Sequence, residues 1–252
     1  MMDYPFVVFG LSLLLLWLST RLGTSLLRRR RGLPEEGRDD LVLIMSAALT
    51  LLGLLIGFTF SMAISRYDLR KSYEEAEANA IGTEYVRVDL LPATDAAKAR
   101  VLLKKYLDQR VLFYTTRNEA QLLQINADTA RLQNDLWTAV KTPAAVLPTP
   151  MMSLAVSGMN DVLNSQGYTQ AAWWNRIPVA AWSLMFGIAI CCNVLIGYAM
   201  RRADNEPELL LIFPLIVSIS FFLIAEIDSP RGGTIRVSPQ NLVSLSQSLQ
   251  SN

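Results

Sequence analysis

The chain has 252 residues, of which 52% are hydrophobic and 18% are charged. The charged fraction is low for a soluble protein, and a net charge of +1 excludes a strongly basic nucleic-acid-binding protein. The lack of any histidine removes the usual zinc ligands, histidine-dependent nucleophilic catalysis and the commonest proton shuttle. We therefore expect a membrane protein that is not an enzyme, has no metal site or cofactor and binds no nucleic acid.

Four apolar segments are long enough to cross the roughly 30 Å of hydrocarbon in a bilayer. The first begins at Tyr4 and extends to about Leu27 if Arg21 snorkels, and the acidic Asp3 ahead of it disfavours a signal peptide. The others are 41–65, 177–200 and 209–225. They predict an all-α, polytopic membrane protein with four transmembrane helices and a helical extramembrane domain between the second and third. The predicted parts are transmembrane helices 1 and 2 with a basic connecting loop (1–65), the extramembrane domain (66–176), transmembrane helices 3 and 4 (177–226) and a C-terminal tail (227–252).

The segment from Asp68 to about Asn175 is predicted to form a series of helices, since strand-like alternation is absent. Pro92 predicts the end of the first helix, and Thr94-Asp95 predicts the cap of the next. The stretch 142–150 predicts a proline-rich break, followed by a short helix at about 151–164. A narrow apolar seam at spacings of three and four predicts a bundle core or an intersubunit contact, and it comprises Leu122, Ile125, Thr129, Leu132, Leu136 and Val140.

The second apolar segment runs into a charged stretch with no proline or glycine from Phe58 to Ile81. This pattern predicts one unbroken helix from 41 to about 91. Two rows of side chains recur on it at a spacing of four residues. Small residues that let another helix approach closely form the first row, Gly53, Gly57 and Ser61. Bulky apolar residues form the second row, Ile56, Phe60 and Ile64. These residues face either the axis of a pore or, as the alternative, lipid or the core of their own chain.

Charged residues follow directly where this helix leaves the membrane. Arg66, Asp68 and Arg70 lie close to the membrane plane and are candidates for the vestibule of a pore. The alternative is a set of solvated salt bridges, such as Lys71 with Glu74 or Glu75.

Arginines predict the orientation of the chain. The cluster Arg28–Arg31 follows the first apolar segment, and the positive-inside rule places such clusters in the cytoplasm. By this rule, the segment 66–176 and both termini lie outside the cytoplasm.

Three stretches carry a resemblance to a known family: GFTFSMAISRYDLRKSYEEAEANAIGTEYVRVDLLP from Gly57, RIPVAAWSLMFGIAICCNVLIGYAMRR from Arg176 and IDSPRGGTIRVSPQNL from Ile227. They resemble the bacterial bestrophin-like family known as DUF4239. That family is similar, more distantly, to the bestrophins, which are pentameric anion channels. The resemblance implies a multi-pass protein of the bacterial inner membrane, embedded in lipid and assembled as a homo-oligomer, with a pentamer and anions as the expected assembly and ions.

The resemblance also implies roles for single residues. Ile56, Phe60 and Ile64 would form the hydrophobic neck of the channel. Glu226, Asp228 and Pro230 would lie where some bestrophins form a calcium-sensing clasp, although this chain has Arg231 and two glycines where the clasp has acidic residues. Bestrophins keep their long helical segment in the cytoplasm, opposite to the side that the arginine cluster predicts. The alternative function is a membrane-anchored scaffold whose helical domain binds another protein without conducting ions.

Overall fold

A computed structural model describes residues 4–29, 36–200 and 208–250 of the chain. These residues form helices joined by short connections and contain no strand, which confirms the all-α prediction. The helices are α1 (Pro5–Arg29), α2 (Glu36–Arg87), α3 (Ala93–Thr115), α4 (Glu119–Val146), α5 (Pro150–Trp174), α6 (Val179–Ala199), α7 (Leu209–Asp228) and α8 (Gln240–Gln250), with a 3-10 turn at Val88–Leu90 after α2.

Four helical stretches are long and apolar enough to cross a membrane, as predicted. They are Pro5–Leu26, Asp39–Leu90, Pro150–Ala199 and Leu209–Asp228. The apolar parts of the second and third stretches are residues 41–65 of α2 and the whole of α6. Of the arginine cluster that predicted the orientation, Arg30 and Arg31 lie outside the described residues.

The described residues divide into two compact units. The first, here called the membrane unit, comprises the chain up to Tyr67 together with Arg176–Arg236. The second, here called the helical unit, comprises Asp68–Asn175 together with the chain from Val237. The predicted boundaries near 65 and 176 describe membrane and extramembrane parts and stay predictions in that sense.

In the membrane unit, α1 packs against α6 and α7. The approach to α6 is close because glycines lie at the crossing: a Cβ on Gly23 would lie 2.1 Å from the Val194 carbonyl oxygen, and one on Gly197 would lie 2.0 Å from that of Thr20. Thr20 also donates through Oγ1 to Asn193 Oδ1 at 3.0 Å. The core beside this crossing is aromatic and aliphatic, with Leu16, Trp182, Met185 and Phe221 at most 1% exposed.

In the helical unit, α3 packs with α4, α4 with α5 and α8 with α3. The predicted seam on α4 forms part of this core, since Ile125, Thr129, Leu136 and Val140 are all buried and Leu122 and Leu132 are half-buried. This burial supports the bundle-core interpretation of the seam.

Three local predictions for the helical unit are wrong. The N-cap of α3 is Pro92 and makes no side-chain hydrogen bond, so Thr94-Asp95 does not cap the helix. Helix α4 tolerates Pro143 inside it and continues to Val146, which shortens the predicted break. Helix α5 starts at the predicted place, where Thr149 caps it and Pro150 occupies its first turn, but it runs ten residues beyond the predicted end at 164, to Trp174.

Candidate pore-lining helix and its buried acidic residues

Helix α2 is a single helix of 52 residues, which confirms the predicted continuity from the apolar into the charged stretch. It ends at Arg87, and the 3-10 turn Val88–Leu90 leads to Pro92, which lacks the N–H that a further helical turn would use. Its residues up to Tyr67 belong to the membrane unit and Asp68–Arg87 to the helical unit.

Only one side of the apolar part of α2 packs against its own chain. Leu52, Thr59 and Ala63 are buried there, at 2%, 4% and 0% exposure. At about 100° per residue, these three lie within about 40° of one another around the helix axis. The opposite side is open: Leu54 is 53% exposed and Phe58 is 63% exposed. Most of the circumference of a membrane helix therefore has no neighbour within the described part of the chain.

The predicted neck residues lie at the edge of the packed side. Ile56 and Phe60 are half-buried against the core of the membrane unit, and Ile64 is 38% exposed. Measured from Leu52, the three lie at about 40°, 80° and 120° around the helix. They form one continuous stripe, as the spacing predicts, and the stripe borders the side that packs against its own chain.

The small-residue row lies further around the helix and is open. A Cβ on Gly53 or Gly57 would meet nothing within 4 Å, and Ser61 is exposed. These residues lie at about 100°, 140° and 180° from Leu52, beside the stripe of bulky residues. The row therefore offers a close approach to a helix from outside the described chain.

The three charged residues predicted for a vestibule have different environments. Asp68 is exposed and Arg66 is half-buried. Arg70 is only 1% exposed, and its Nε donates to the Ala172 carbonyl oxygen at 3.4 Å within the helical unit.

The interpretation of Glu74 as part of a solvated salt bridge is wrong. Its side chain is 1% exposed and accepts hydrogen bonds from the Leu242 N–H at 3.0 Å and from Asn241 Nδ2 at 2.7 Å. Since both donors lie in the first turn of α8, Glu74 holds the N-terminus of that helix. This contact joins α8 to α2 inside the helical unit, although the sequence predicted only a tail there.

Glu77 and Glu84 are two further buried glutamates on α2, both 0% exposed. Glu77 pairs with the buried Arg110 of α3 and accepts a hydrogen bond from Thr169 Oγ1 of α5 at 3.1 Å. Neither buried glutamate was predicted from the sequence. Their spacing of seven residues, in phase with the buried Ala78, Ile81 and Val88, is the signal that could have placed them on the packed face.

A family model for the Bestrophin-like domain matches residues 6–242 of the chain. The chain belongs to this family. A comparison with curated proteins finds no match.

Solved structures of bestrophin homologues share the fold of this bestrophin-like chain. A variant of a bacterial bestrophin homologue from Klebsiella pneumoniae is 14% identical, with a TM-score of 0.64 and coverage of 96% of this chain and 98% of that one. Another structure of a homologue from the same organism is 15% identical, with a TM-score of 0.63 and coverage of 96% and 97%. At this level of identity, the similarity establishes the fold.

The clasp-like segment at the end of α7 uses its acidic side chains internally. Glu226, at 1% exposure, accepts hydrogen bonds through Oε2 from the N–H and Oγ1 of Thr234 and from the Ile235 N–H at 3.3 Å. Asp228 accepts from the Ile177 N–H at 3.2 Å with both carboxylate oxygens, and Pro230 is buried. The two acids thus hold the loop after α7 and the residue before Pro178 in place.

A glycine makes this loop possible. A Cβ on Gly233 would lie 2.7 Å from the Glu226 carbonyl oxygen and 2.8 Å from its Oε2.

Among residues 4–29, 36–200 and 208–250, no three His, Cys, Asp or Glu side chains are grouped closely enough to hold a metal ion.

Proposed function

We propose that this chain is one subunit of an oligomeric ion channel that spans the bacterial inner membrane four times, with an apolar constriction on α2. The observation that carries the proposal is the exposure of the apolar part of α2. A transmembrane helix with bulky residues on its outward side and glycines on its flank is suited to a ring of identical subunits. A pentamer that passes anions, as the resemblance implies, is the specific form of this proposal.

The angular order around α2 indicates what each side would contact in such a ring. The chain's own bundle packs on the side of Leu52, so the axis of a ring lies on the opposite side. Leu54 and Phe58 occupy that side, at about 200° and 240° around the helix from Leu52. The open row of Gly53 and Gly57 lies between the packed side and the side that faces the axis, where a neighbouring subunit approaches.

This order favours Leu54 and Phe58 as the residues that line the axis. The neck at Ile56, Phe60 and Ile64 stays the prediction from family resemblance. The half-buried contacts of Ile56 and Phe60 with the core of the same chain favour a position beside a neighbouring subunit. In either case, an apolar ring narrows the pore and blocks ions by dewetting until it widens.

The alternative is a membrane-anchored scaffold, and one observation favours it. The turn from α4 to α5 exposes a group of apolar side chains, with Val146 81%, Leu147 57% and Met151 54% exposed. Exposed apolar groups of this kind often mark protein contacts.

Native mass spectrometry of the purified protein in detergent tests the proposal. We expect a single closed oligomer, with five subunits as the specific expectation. A monomer would contradict the channel and leave the scaffold as the function.

A further inference from the structure

Glu77 and Glu84 of α2 are equally buried, but they differ in their hydrogen-bond partners. Glu77 has Arg110 and Thr169 as partners, whereas neither carboxyl oxygen of Glu84 accepts a hydrogen bond in the described part of the chain. An ionised carboxylate buried without a partner is very unfavourable, and the usual remedy is a bound proton. We propose that Glu84 is a proton-binding site, and that its proton determines how closely α5 packs against α2 in the helical unit.

The backbone of α5 lies directly over the Glu84 carboxyl group. A Cβ on Gly158 would lie only 2.0 Å from Glu84 Oε2 and 2.8 Å from Arg87 Nη1. Glycine is thus the residue that allows this approach, and Glu84 is 0% exposed beneath it. Because the contact is so close, any solvation of the carboxyl group requires α5 to move.

The charged groups at this level are Arg87 on α2 and Asp161 on α5, while Arg100 and Lys104 of α3 lie over the ring of the adjacent Tyr85, at 5.8 and 5.7 Å from its centre. Helices α3 and α5 run antiparallel to α2. Glu84 lies seven residues after Glu77, so its neighbours on α3 and α5 lie about seven residues before Arg110 and Thr169, the partners of Glu77. The residues there are Leu103 and Val162, both apolar and 0% exposed. The sequence of α8, which packs near Gly82 through Leu245, contains no titratable side chain.

Two charged groups act on Glu84, one on each helix. Arg87 on α2 favours the carboxylate and Asp161 on α5 disfavours it, while Arg87 Nη1 lies 3.8 Å from Asp161 Oδ2. Burial is the largest effect, and together with Asp161 it raises the pKa of Glu84 from 4.5 to about 8 despite Arg87. Glu84 therefore keeps its proton at neutral pH, some 19 residues beyond the apolar stretch that ends at Ser65.

Loss of the proton changes the contact. The new carboxylate attracts Arg87 away from Asp161 or draws in water, and either change loosens α5. In the unfolded chain the carboxyl group ionises near its ordinary pKa of 4.5, so between about pH 4.5 and about pH 8 only the folded state holds the proton. Folded-state stability therefore falls as the pH rises through this window and levels off above it.

The test compares the full-length wild type with Glu84→Gln, which keeps the shape of the side chain but cannot ionise. Glu75→Gln, at an exposed position on the same helix, is the matched control. Infrared spectroscopy follows the carbonyl stretch of protonated carboxylic acids from about pH 5 to about pH 9. Hydrogen exchange of α5 follows its packing, with variants compared at equal pH so that intrinsic exchange cancels.

We expect the wild-type minus Glu84→Gln difference spectrum to contain a protonated-carboxyl band that disappears with a midpoint near pH 8. Above that pH, α5 should exchange faster in the wild type and in Glu75→Gln than in Glu84→Gln, and equally fast in all three at about pH 6. If the spectrum of the wild type itself contains no protonated-carboxyl band at about pH 6, the proposal is overturned even without the variant. Equal α5 exchange at about pH 9 would overturn the link to packing.

Discussion

Arg110 donates from Nε to Glu77 Oε1 while both side chains are fully buried, and a second contact joins Nη2 to Oε2 at 3.4 Å. Burial alone would lower the pKa of Arg110, but the nearby Glu77 carboxylate raises it above its ordinary value, so the guanidinium group stays charged. Arg110 also lies 4.4 Å from the centre of the Phe113 ring. This pair fixes α3 to the continuous helix α2 inside the helical unit.

Breaking one half of this pair should destabilise the helical unit strongly. Arg110→Met leaves the Glu77 carboxylate buried with Thr169 as its one remaining partner among the described residues, and we expect a loss of about 3–5 kcal/mol in the free energy of unfolding. The double variant Glu77→Gln/Arg110→Met removes both charges and should recover much of that loss. Chemical denaturation of the wild type, of Arg110→Met, of Glu77→Gln and of the double variant measures the coupling. Additive losses would show that the two side chains do not act as a pair.

The open glycine row on α2 should matter for assembly and little for the single chain. Gly57→Leu places a bulky group where nothing of the same chain lies within 4 Å, so the subunit should fold but close approach of a neighbour should fail. Gly187→Leu is the matched control, since Gly187 on α6 is also exposed and free of neighbours within 4 Å. Cross-linking in membranes should give a ladder for wild type and control that collapses in Gly57→Leu. An intact ladder in Gly57→Leu would mean that the row faces lipid.

The loop after α7 should not tolerate a side chain at Gly233. In Gly233→Ala, the new methyl group would overlap the Glu226 backbone oxygen, which cannot move without disturbing the end of α7. We expect a loss of about 1–3 kcal/mol, measured as a lowered thermal midpoint. Gly10→Ala on α1, where nothing lies within 4 Å, should be neutral or slightly stabilising because alanine favours the helix. Equal effects of the two changes would show that the Glu226 contact does not constrain the loop.

Labelling decides the orientation on which the arginine cluster and the family resemblance disagree. Asn118 is unsuitable for a cysteine because its side chain caps α4, accepting from the Ala120 N–H at 2.9 Å. Val146, at 81% exposure, is the better position. If the helical unit lies outside the cytoplasm, Val146→Cys should react with an impermeant maleimide in intact spheroplasts, above the wild-type background from Cys191 and Cys192. Reaction only after lysis would instead give the bestrophin arrangement.

The architecture could be predicted from the sequence because long apolar helices can be identified from their composition alone. Uninterrupted apolar length predicted four spans, and the lack of helix breakers after Phe58 predicted the continuity of α2. Both are local properties of the chain, so no knowledge of its neighbours was needed.

The buried acids could not be predicted in the same way because their partners are distant in sequence. Glu77 meets Arg110, Glu74 meets the first turn of α8, and Glu84 meets Gly158. A glutamate beside lysine on a helix is usually solvated, so the same local pattern favoured the wrong environment for Glu74. The break at 142–150 was overestimated for a related reason: packing of Pro143 in the core outweighs its local cost, and the residue is buried.

Conductance of the purified protein in planar bilayers tests the channel most directly. Leu54→Ala/Phe58→Ala removes the bulk that we place on the axis, so water should fill the pore more readily and conductance should rise well above wild type. Ile56→Ala/Phe60→Ala is the matched pair on the same helix and should mainly lower stability through lost packing. A rise in conductance for Ile56→Ala/Phe60→Ala alone would place the constriction at Ile56, Phe60 and Ile64, as the family resemblance implies. If the wild type and both pairs are equally silent across salts and voltages, the chain is not a channel.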